Sequence, residues 1–332
     1  MSDTRYKLNR ELKEAGFSKD AIDAAWPSWW TDEAEDSPSA RAELRMAISR
    51  RLGLSPRSLI GERVEFFWEN SARFKHLKVH DSNERSAIAS FGIALGRDLI
   101  SATPNLTNLD LTSVSALDLR RSILQKQQYV DLRSLITVCW SFGVPLIQLN
   151  IVPLEAKSMH AMVVEFRGRH AILLARKVRY PAMAAFTVAH ELGHIVLGHI
   201  EGARALVDLE DPAEDRGEDR QEQEADEFAL KLLTGVADPI IETDAPGNAP
   251  SLASAAIKAA TRYGIEPGTI ALILAYREGS WARSMSALKF IYGDHPPVSQ
   301  EINAVARKML DWDLLSDDSA EYVTQIMADL DA

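Results

Sequence analysis

The chain has little that would place it outside the cell or in a membrane. Its 332 residues include one cysteine, Cys139, so no internal disulfide can form and a reducing cytoplasm is the expected setting. No apolar run reaches about 18 residues, which argues against a transmembrane helix. The charged segment 1–16 lacks the apolar stretch of a secretory signal. We therefore expect a cytoplasmic protein that makes no membrane contact.

Positive charge is also scarce. Lysine and arginine number 37 against 48 acidic residues, a net charge of −11, which argues against nucleic-acid binding by the whole surface. Residues 201–227 hold 12 acidic residues and three arginines, a net of −9. The first part of this segment contains Pro212 and Gly217 and few apolar residues. This composition predicts a solvated loop.

The first 75 residues have the pattern of a helical module. In the segment 39–60 we expect Ser39 to cap a helix, followed by a glycine-containing turn and a second short helix, the helix-turn-helix outline. One face of the first helix carries three apolar side chains, Leu44, Ile48 and Leu52. The same segment has five arginines and one acid, a net of +4. This local basic face predicts DNA contact, and the alternative is a protein-docking module with a solvated charged face.

A change of pattern at Val144 predicts a small sheet. Short runs rich in β-branched and apolar residues occupy 144–153, 160–166 and 170–176 and are separated by turn residues. Helical patterns precede them and follow them. The expected fold class is α+β, mainly helical, with a small and mostly antiparallel sheet preceding the helix described next. The N-terminal helix-turn-helix-like module is added to this fold.

The helix that follows the sheet carries a metal-binding pattern. The stretch "TVAHELGHIVLGHI", 187–200, contains His190, Glu191 and His194 in the order H-E-x-x-H. Residues four apart on a helix lie about 40° and one turn apart, so both imidazoles can reach one ion. Glu191 beside them can take a proton from the ion's water. Zn²⁺ suits such a site. The alternative is a buried helix whose two histidines make ordinary hydrogen bonds.

A third ligand is expected from a later helix. His199 lies nine residues after His190, which turns it to the opposite side of a continuous helix, so we expect it to end the helix or to support a ligand. In "QEQEADEFALKLL", 221–233, Glu222 is the candidate ligand and Asp226, one turn later, would orient a ligand histidine. Glu224 is the rival, and it points about 200° away from Glu222. Two alanines beside Glu222 would let this helix approach closely.

Two further residues are candidates for roles in the chemistry. Cys139 lies on an apolar helix before the sheet and is either a buried small hydrophobe or a thiolate that covers the zinc and inhibits the enzyme. Tyr180 precedes the motif helix and is either structural or a hydrogen-bond donor to the transition state.

These motifs resemble those of the ImmA/IrrE-like metallopeptidases. That family has a short sheet, a helix of the form FTxAHELGHxxLGH and then ExEAxxFAxxLL. This chain has "FTVAHELGHIVLGH" at 186–199 and "EQEADEFALKLL" at 222–233, and the resemblance covers roughly 130–276. It implies a zinc endopeptidase in which His190, His194 and Glu222 bind the metal. Family members often carry a helix-turn-helix region, and some cleave repressor proteins.

The resemblance therefore implies limited, regulated proteolysis of a DNA-binding transcriptional repressor in response to stress. The alternative is a non-proteolytic helix-turn-helix regulator with a structural or sensory metal. The expected domains are the helical module 1–75, a metallopeptidase domain with its preceding helices at 76–280 and a C-terminal helical segment at 281–332. This last segment matches no pattern that we can name.

Overall fold

The computed structural model describes residues 3–56, 64–68, 71–75, 82–104, 111–154, 159–209, 219–243 and 247–328. Within these ranges the chain forms thirteen α-helices and one five-stranded sheet, which confirms the α+β, mainly helical class. None of these helices has the length and apolar character that crossing a bilayer would need. The helices are α1 (Asp3–Glu14), α2 (Lys19–Ala25), α3 (Pro38–Leu52), α4 (Ser82–Ser101), α5 (Ala116–Leu124), α6 (Leu132–Ser141), α7 (Pro181–Val196), α8 (Arg220–Thr234), α9 (Ala249–Tyr263), α10 (Pro267–Glu278), α11 (Trp281–Tyr292), α12 (Val298–Met309) and α13 (Asp317–Ile326). The strands are β1 (Ala72–Lys75), β2 (Leu146–Gln148), β3 (Ala161–Phe166), β4 (Arg169–Leu174) and β5 (Ala205–Asp208).

The sheet is mixed, with the order β1-β5-β3-β4-β2. Strands β3 and β4 form an antiparallel hairpin whose two turn residues, Arg167 and Gly168, have φ values of 55° and 73°, as a tight two-residue turn requires. Strand β5 is also antiparallel to β3, whereas the outer strands β1 and β2 pair in parallel with β5 and β4. The sheet is thus less antiparallel than predicted, because the antiparallel strands β5, β3 and β4 are extended by a parallel strand at each edge.

Two strands of the sheet lie where the sequence predicted none. Strand β1 belongs to the segment predicted as an N-terminal helical module, and β5 follows the motif helix inside the acidic segment predicted as a loop. All four residues of β5 are buried. A run of four residues within a strongly acidic segment has too short a pattern to reveal itself, so pairing with β3 and β1 decides its conformation.

Helix α4 packs across β3 at Gly92 and Gly96. A Cβ on Gly96 would lie 2.7 Å from the side chain of Val164, so only glycine allows the helix to approach this closely. Helix α7, which carries the H-E-x-x-H motif, packs against the same sheet and against α6 and α8. The sheet therefore forms the support on which the motif helix is held.

The first expected helix of the N-terminal module is present as α3. Its N-cap is Ser37, whose Oγ accepts from the backbone N–H of Ala40, and not Ser39 as predicted. The reason is that Pro38 occupies the first helical position, where its fixed φ starts a helix. The helix ends at Leu52, and Gly53, with a φ of 69°, caps it. Residues 57–60, where most of the second helix of the outline was predicted, lie outside the described residues.

The arginine face of α3 is partly used inside the protein. Arg51 is buried, and its guanidinium donates to Glu321 at 2.9 Å and to the backbone oxygen of Asp318 at 2.9 Å, both on α13. The predicted apolar face of α3 is buried in the same core, which continues from α1 through the sheet to α13. The division at residues 75 and 280 stays a prediction.

Candidate metal centre

The motif residues are buried on a helix that is apolar on all sides. Helix α7 begins after the β3–β4 hairpin with Pro181 at its first position and ends at Val196, and Gly198 with a φ of 72° then turns the chain. His190, Glu191 and His194 are each fully buried. A helix without a polar face must be enclosed by its neighbours, so the three polar side chains lie between α7 and the elements packed on it.

Close packing of α8 on α7 brings the second acidic motif to the histidines. A Cβ on Gly193 would meet the backbone of Ala225 at 3.1 Å, so small residues on both helices permit the approach. Ala225 and Ala229 are fully buried in this contact. The alanines act as predicted from the sequence, and Gly193 adds to their effect. Glu222, three residues before Ala225, is thereby directed at the motif helix.

Four buried side chains converge on one point. Ligand atoms of His190, His194, Asp208 and Glu222 all lie within 4.8 Å of one another. The His190 Nε2 is 2.9 Å from the His194 Nε2, 3.3 Å from the Glu222 Oε2 and 3.5 Å from the Asp208 Oδ2. Among the described residues, this is the group of histidines and carboxylates whose spacing suits a metal ion.

Hydrogen bonds behind the histidines fix which nitrogen faces the centre. His190 Nδ1 lies 2.8 Å from the Asp226 Oδ1, so it donates to the carboxylate and leaves the Nε2 lone pair free. His194 Nδ1 lies 2.9 Å from the Nδ1 of His199, whose Nε2 is 3.2 Å from the Glu224 Oε2. If His199 donates to Glu224, its Nδ1 must accept from His194. Both ligand histidines then present Nε2 as an acceptor.

This arrangement fits a bound cation. Two imidazole lone pairs 2.9 Å apart repel each other unless a proton or a metal lies between them. Burial opposes protonation of His190, but its contacts with Asp208, Asp226 and Glu222 outweigh burial and hold its pKa well above the usual range. The centre thus attracts positive charge, as its buried carboxylates require. Nitrogen and oxygen donors in this number are the set that Zn²⁺ accepts.

The proposed catalytic base lies directly beside the centre. Burial raises the pKa of Glu191 well above its usual range, and the nearby negative charge of Asp208 raises it further. No donor in the described part of the chain hydrogen-bonds to either of its carboxylate oxygens. A carboxylate held this way binds a proton readily, which suits a group that must accept a proton and give it back.

Lys75 is a member of the site that sequence reasoning missed. It ends β1 and is buried, with its Nζ 3.4 Å from the Glu222 Oε1 and 2.8 Å from the Asp219 Oδ2. It also donates to the side chain of Gln221. The ammonium therefore holds the start of α8 in place and orients the Glu222 carboxylate.

Asp208 is the second member that sequence reasoning missed. It ends β5 and is buried, but the sequence places it in an acidic segment with eleven other acids. The short apolar run that precedes it in "ALVD" was the only available signal, and four residues are too few to establish a strand. His199, predicted to end the helix or to support a ligand, lies beyond the end of α7 and contacts His194.

Tyr180 and Cys139 are not among the four converging side chains. Tyr180 precedes α7 and its buried ring stacks on Tyr292 at 5.8 Å, and ten residues of helix place it about 15 Å along the axis from His190. Cys139 is buried on α6, where burial raises the pKa of its thiol to about 12 and disfavours the thiolate. Cys139 does not belong to the group of candidate ligands found among the described residues, and the role of Tyr180 as a hydrogen-bond donor stays a prediction.

A cleft of about 750 Å³ adjoins the centre on the His190 side. Glu222 and Asp226 form part of its wall, and Phe186, whose ring lies 6.4 Å from that of His190, is on the same wall. Most of the remaining lining is apolar. It comes from α7, α8, α10 and α11 and includes Met183, Leu230, Leu272, Ile273, Trp281 and Met285. The cleft can accept apolar side chains next to the candidate metal.

Comparison with known proteins supports an assignment as a protease. The sequence profile of the family described as Peptidase U49 matches residues 166–309, a range that contains all four candidate ligands and Glu191. No curated protein matches the chain. The match indicates a peptidase, and a peptidase implies a protein substrate. The narrower resemblance to ImmA/IrrE-like enzymes stays a prediction.

Proposed function

We propose that this protein is a zinc-dependent endopeptidase that carries out limited, regulated proteolysis of a protein substrate. The observation that carries the proposal is the convergence of the two H-E-x-x-H histidines with Glu222 beside the buried Glu191. The peptidase family match over the same residues supports it independently.

In the proposed centre, His190, His194 and Glu222 would hold the zinc. Imidazole nitrogens and a carboxylate form one of the ligand sets of catalytic zinc, in which a fourth position is left for water. Asp226 orients the ring of His190, and His199 with Glu224 orients that of His194. When bound, the metal supplies a polarised substrate carbonyl and a water molecule of lowered pKa.

Glu191 is the proposed general base. It lies next to the first ligand histidine and outside the ligand set, so its carboxylate is available for proton transfer. It accepts a proton from the attacking water and passes it to the leaving amine. The burial that raises the pKa of Glu191 favours retention of that proton between the two steps.

The proposed substrate enters through the apolar cleft beside His190. A volume of about 750 Å³ and a largely apolar lining suit several side chains of an extended polypeptide. Limited proteolysis follows from this selectivity, because a target must present an accessible apolar segment. A cytoplasmic location is proposed from the single cysteine of the sequence.

A DNA-binding repressor is the proposed substrate, and a stress signal the proposed trigger. Both are supported only by the motifs that resemble ImmA/IrrE-like enzymes. DNA contact through the N-terminal module is proposed on the exposed and half-buried arginines of α3, such as Arg41, Arg45 and Arg50.

The decisive experiment pairs the protein with a repressor encoded next to its own gene. Wild-type protein should cut the repressor once or twice and derepress its promoter under stress. The Glu191→Gln variant should retain stoichiometric zinc, since Glu191 is not a proposed ligand, and should leave the repressor intact. If Glu191→Gln derepresses the promoter as well as the wild type, the proteolytic proposal fails.

One observation favours the alternative of a regulator with a structural metal. Asp208 adds a fourth protein group to the centre, and four protein ligands would complete the tetrahedron of a structural zinc site. Under that alternative, Glu191→Gln would be without effect and no water would reach the metal. The comparison of wild type with Glu191→Gln therefore distinguishes the two functions.

A further inference from the structure

The four candidate ligands differ in how firmly they are held. His190 is bonded to Asp226, and His194 to His199. Glu222 lies 3.4 Å from the ammonium of Lys75. Each of these three ligands therefore has a partner behind it that fixes its orientation.

Among the described residues, Asp208 interacts only with groups of the centre itself. Its side chain is 1% exposed, and neither carboxylate oxygen receives a hydrogen bond from the residues that the structure describes. Its neighbours are His190, whose Nε2 lies 3.5 Å from the Asp208 Oδ2, and Glu191, and both belong to the centre. Because an unsatisfied buried carboxylate is costly, the interaction that compensates Asp208 must come from the centre.

The backbone directs Asp208 into the centre without fixing its side chain. The carbonyl oxygen of Asp208 accepts from the backbone N–H of His160 at 2.7 Å, which holds the end of β5 against β3. On its other side Asp208 is in register with Lys75 of β1. The ends of two neighbouring strands thus supply both a possible ligand and the ammonium that fixes Glu222.

We propose that Asp208 is a displaceable fourth ligand that keeps the metal centre closed until substrate arrives. The inference rests on the proposed function. With Asp208 as a ligand, four protein groups would occupy the positions that zinc usually offers, and none would be left for water beside Glu191. Once Asp208 is displaced, two histidines and one glutamate would remain as protein ligands, and the vacated position would be available to water or to the substrate carbonyl. Of the four, Asp208 is the ligand that yields because the other three are held from behind.

The test uses the full-length protein loaded with Co²⁺, whose unpaired electrons report on its ligands. Wild type, Asp208→Ala and Glu222→Ala are compared, with Asp98→Ala on α4 as a control outside the centre. Three properties are measured for each: cobalt affinity by competition with a chelator, water-proton relaxation, and binding of acetohydroxamate by its effect on the visible spectrum.

We expect the wild type to bind one cobalt and to show little relaxation from bound water. Asp208→Ala should show clearly faster relaxation and bind acetohydroxamate at least about tenfold more tightly, since no ligand has to leave. Its cobalt affinity should fall by no more than about 100-fold, and that of Glu222→Ala by more. Asp98→Ala should match the wild type.

The contrary results separate a failure of the inference about Asp208 from a failure of the proposed function. If Asp208→Ala binds cobalt but shows wild-type relaxation and acetohydroxamate affinity, Asp208 is not a ligand and the inference is overturned, while the proposed function stands. If it loses cobalt as fully as Glu222→Ala, Asp208 is a permanent ligand and displacement is overturned. If the wild type binds no metal, the proposed function itself falls. Circular dichroism checks folding, and Asp208→Asn, which preserves side-chain volume, replaces the alanine variant if that one unfolds.

Discussion

Replacing Glu222 by glutamine should abolish tight metal binding, whereas the same change at Glu224 should barely affect it. The two glutamates are two residues apart on α8 and point to different sides. The Glu222 side chain is 5% exposed, with Oε2 3.3 Å from the His190 Nε2 and Oε1 3.6 Å from the His194 Nε2. The Glu224 side chain is 39% exposed and reaches the centre only through His199.

The size of the difference follows from these contacts. Partners behind a metal ligand typically contribute about 10- to 100-fold in metal affinity. Glu224 contacts His199 and not a metal ligand, and it also accepts a hydrogen bond from Arg220 at 2.8 Å. Glu224→Gln should therefore lower the metal affinity by about tenfold at most. Loss of a direct ligand should lower the metal affinity by more than the upper end of that range. We therefore expect Glu222→Gln to weaken binding by more than about 100-fold, or about 2.8 kcal/mol.

The charge of Lys75 should further weaken metal binding in Glu222→Gln. The buried ammonium of Lys75 is partly neutralised by Glu222 and keeps its contacts with Asp219 and Gln221 in the variant. The neutral glutamine leaves that positive charge facing the metal. Because Lys75 retains two partners, the variant should still fold, and circular dichroism of the metal-free proteins checks this point.

The assay is a competition for zinc with a fluorescent chelator, carried out at one pH on the wild type and both variants. Elemental analysis after dialysis gives the stoichiometry. Equal losses in the two variants, or a larger loss at Glu224, would refute the assignment of Glu222 as the ligand.

Three other predictions concern the rest of the molecule. Because burial raises the pKa of Cys139 to about 12, a thiol reagent at pH 8 should modify it only after unfolding, and Cys139→Ala should keep wild-type zinc affinity; rapid labelling of the folded protein would contradict this. Leu272→Lys places a charge in the cleft and should lower kcat/KM for apolar peptides by about 10- to 100-fold at unchanged zinc content. The control, Ile257→Lys, changes a residue on α9 that is already 48% exposed and should have no effect in the same peptide assay. Arg51→Met breaks the buried contact between α3 and α13 and should lower the free energy of unfolding by about 3 kcal/mol in urea titrations, whereas exposed Arg50→Met should change it by less than about 0.5 kcal/mol; equal effects would show that the contact is not stabilising.

The sequence alone was sufficient for features that depend on local spacing. Two histidines four residues apart must share a helix face, so His190 and His194 converge wherever that helix forms. The same argument separates Glu222 from Glu224, which the structure places on different sides of α8. The hairpin strands β3 and β4 were predictable because each is long enough for its composition to show, and the α+β class followed from them.

Features that combine distant parts of the chain required the tertiary structure. Lys75 contacts Asp219 across 144 positions, and no periodicity connects them. Asp208 enters the centre only because β5 pairs with β3 and β1, and a strand of four residues in an acidic segment has no pattern of its own. The cleft likewise exists only once α10 and α11 pack beside α7 and α8.

The physical reason for this division is the range of the forces involved. Helix geometry is set by bonds between residues four apart, so a motif on one helix is determined by sequence spacing. Strand pairing and burial depend on partners that may lie anywhere in the chain, and they decide which carboxylates lose water and face a metal. The sequence therefore determined the histidine pair and its glutamates, and only the fold decided that Asp208 and Lys75 join them.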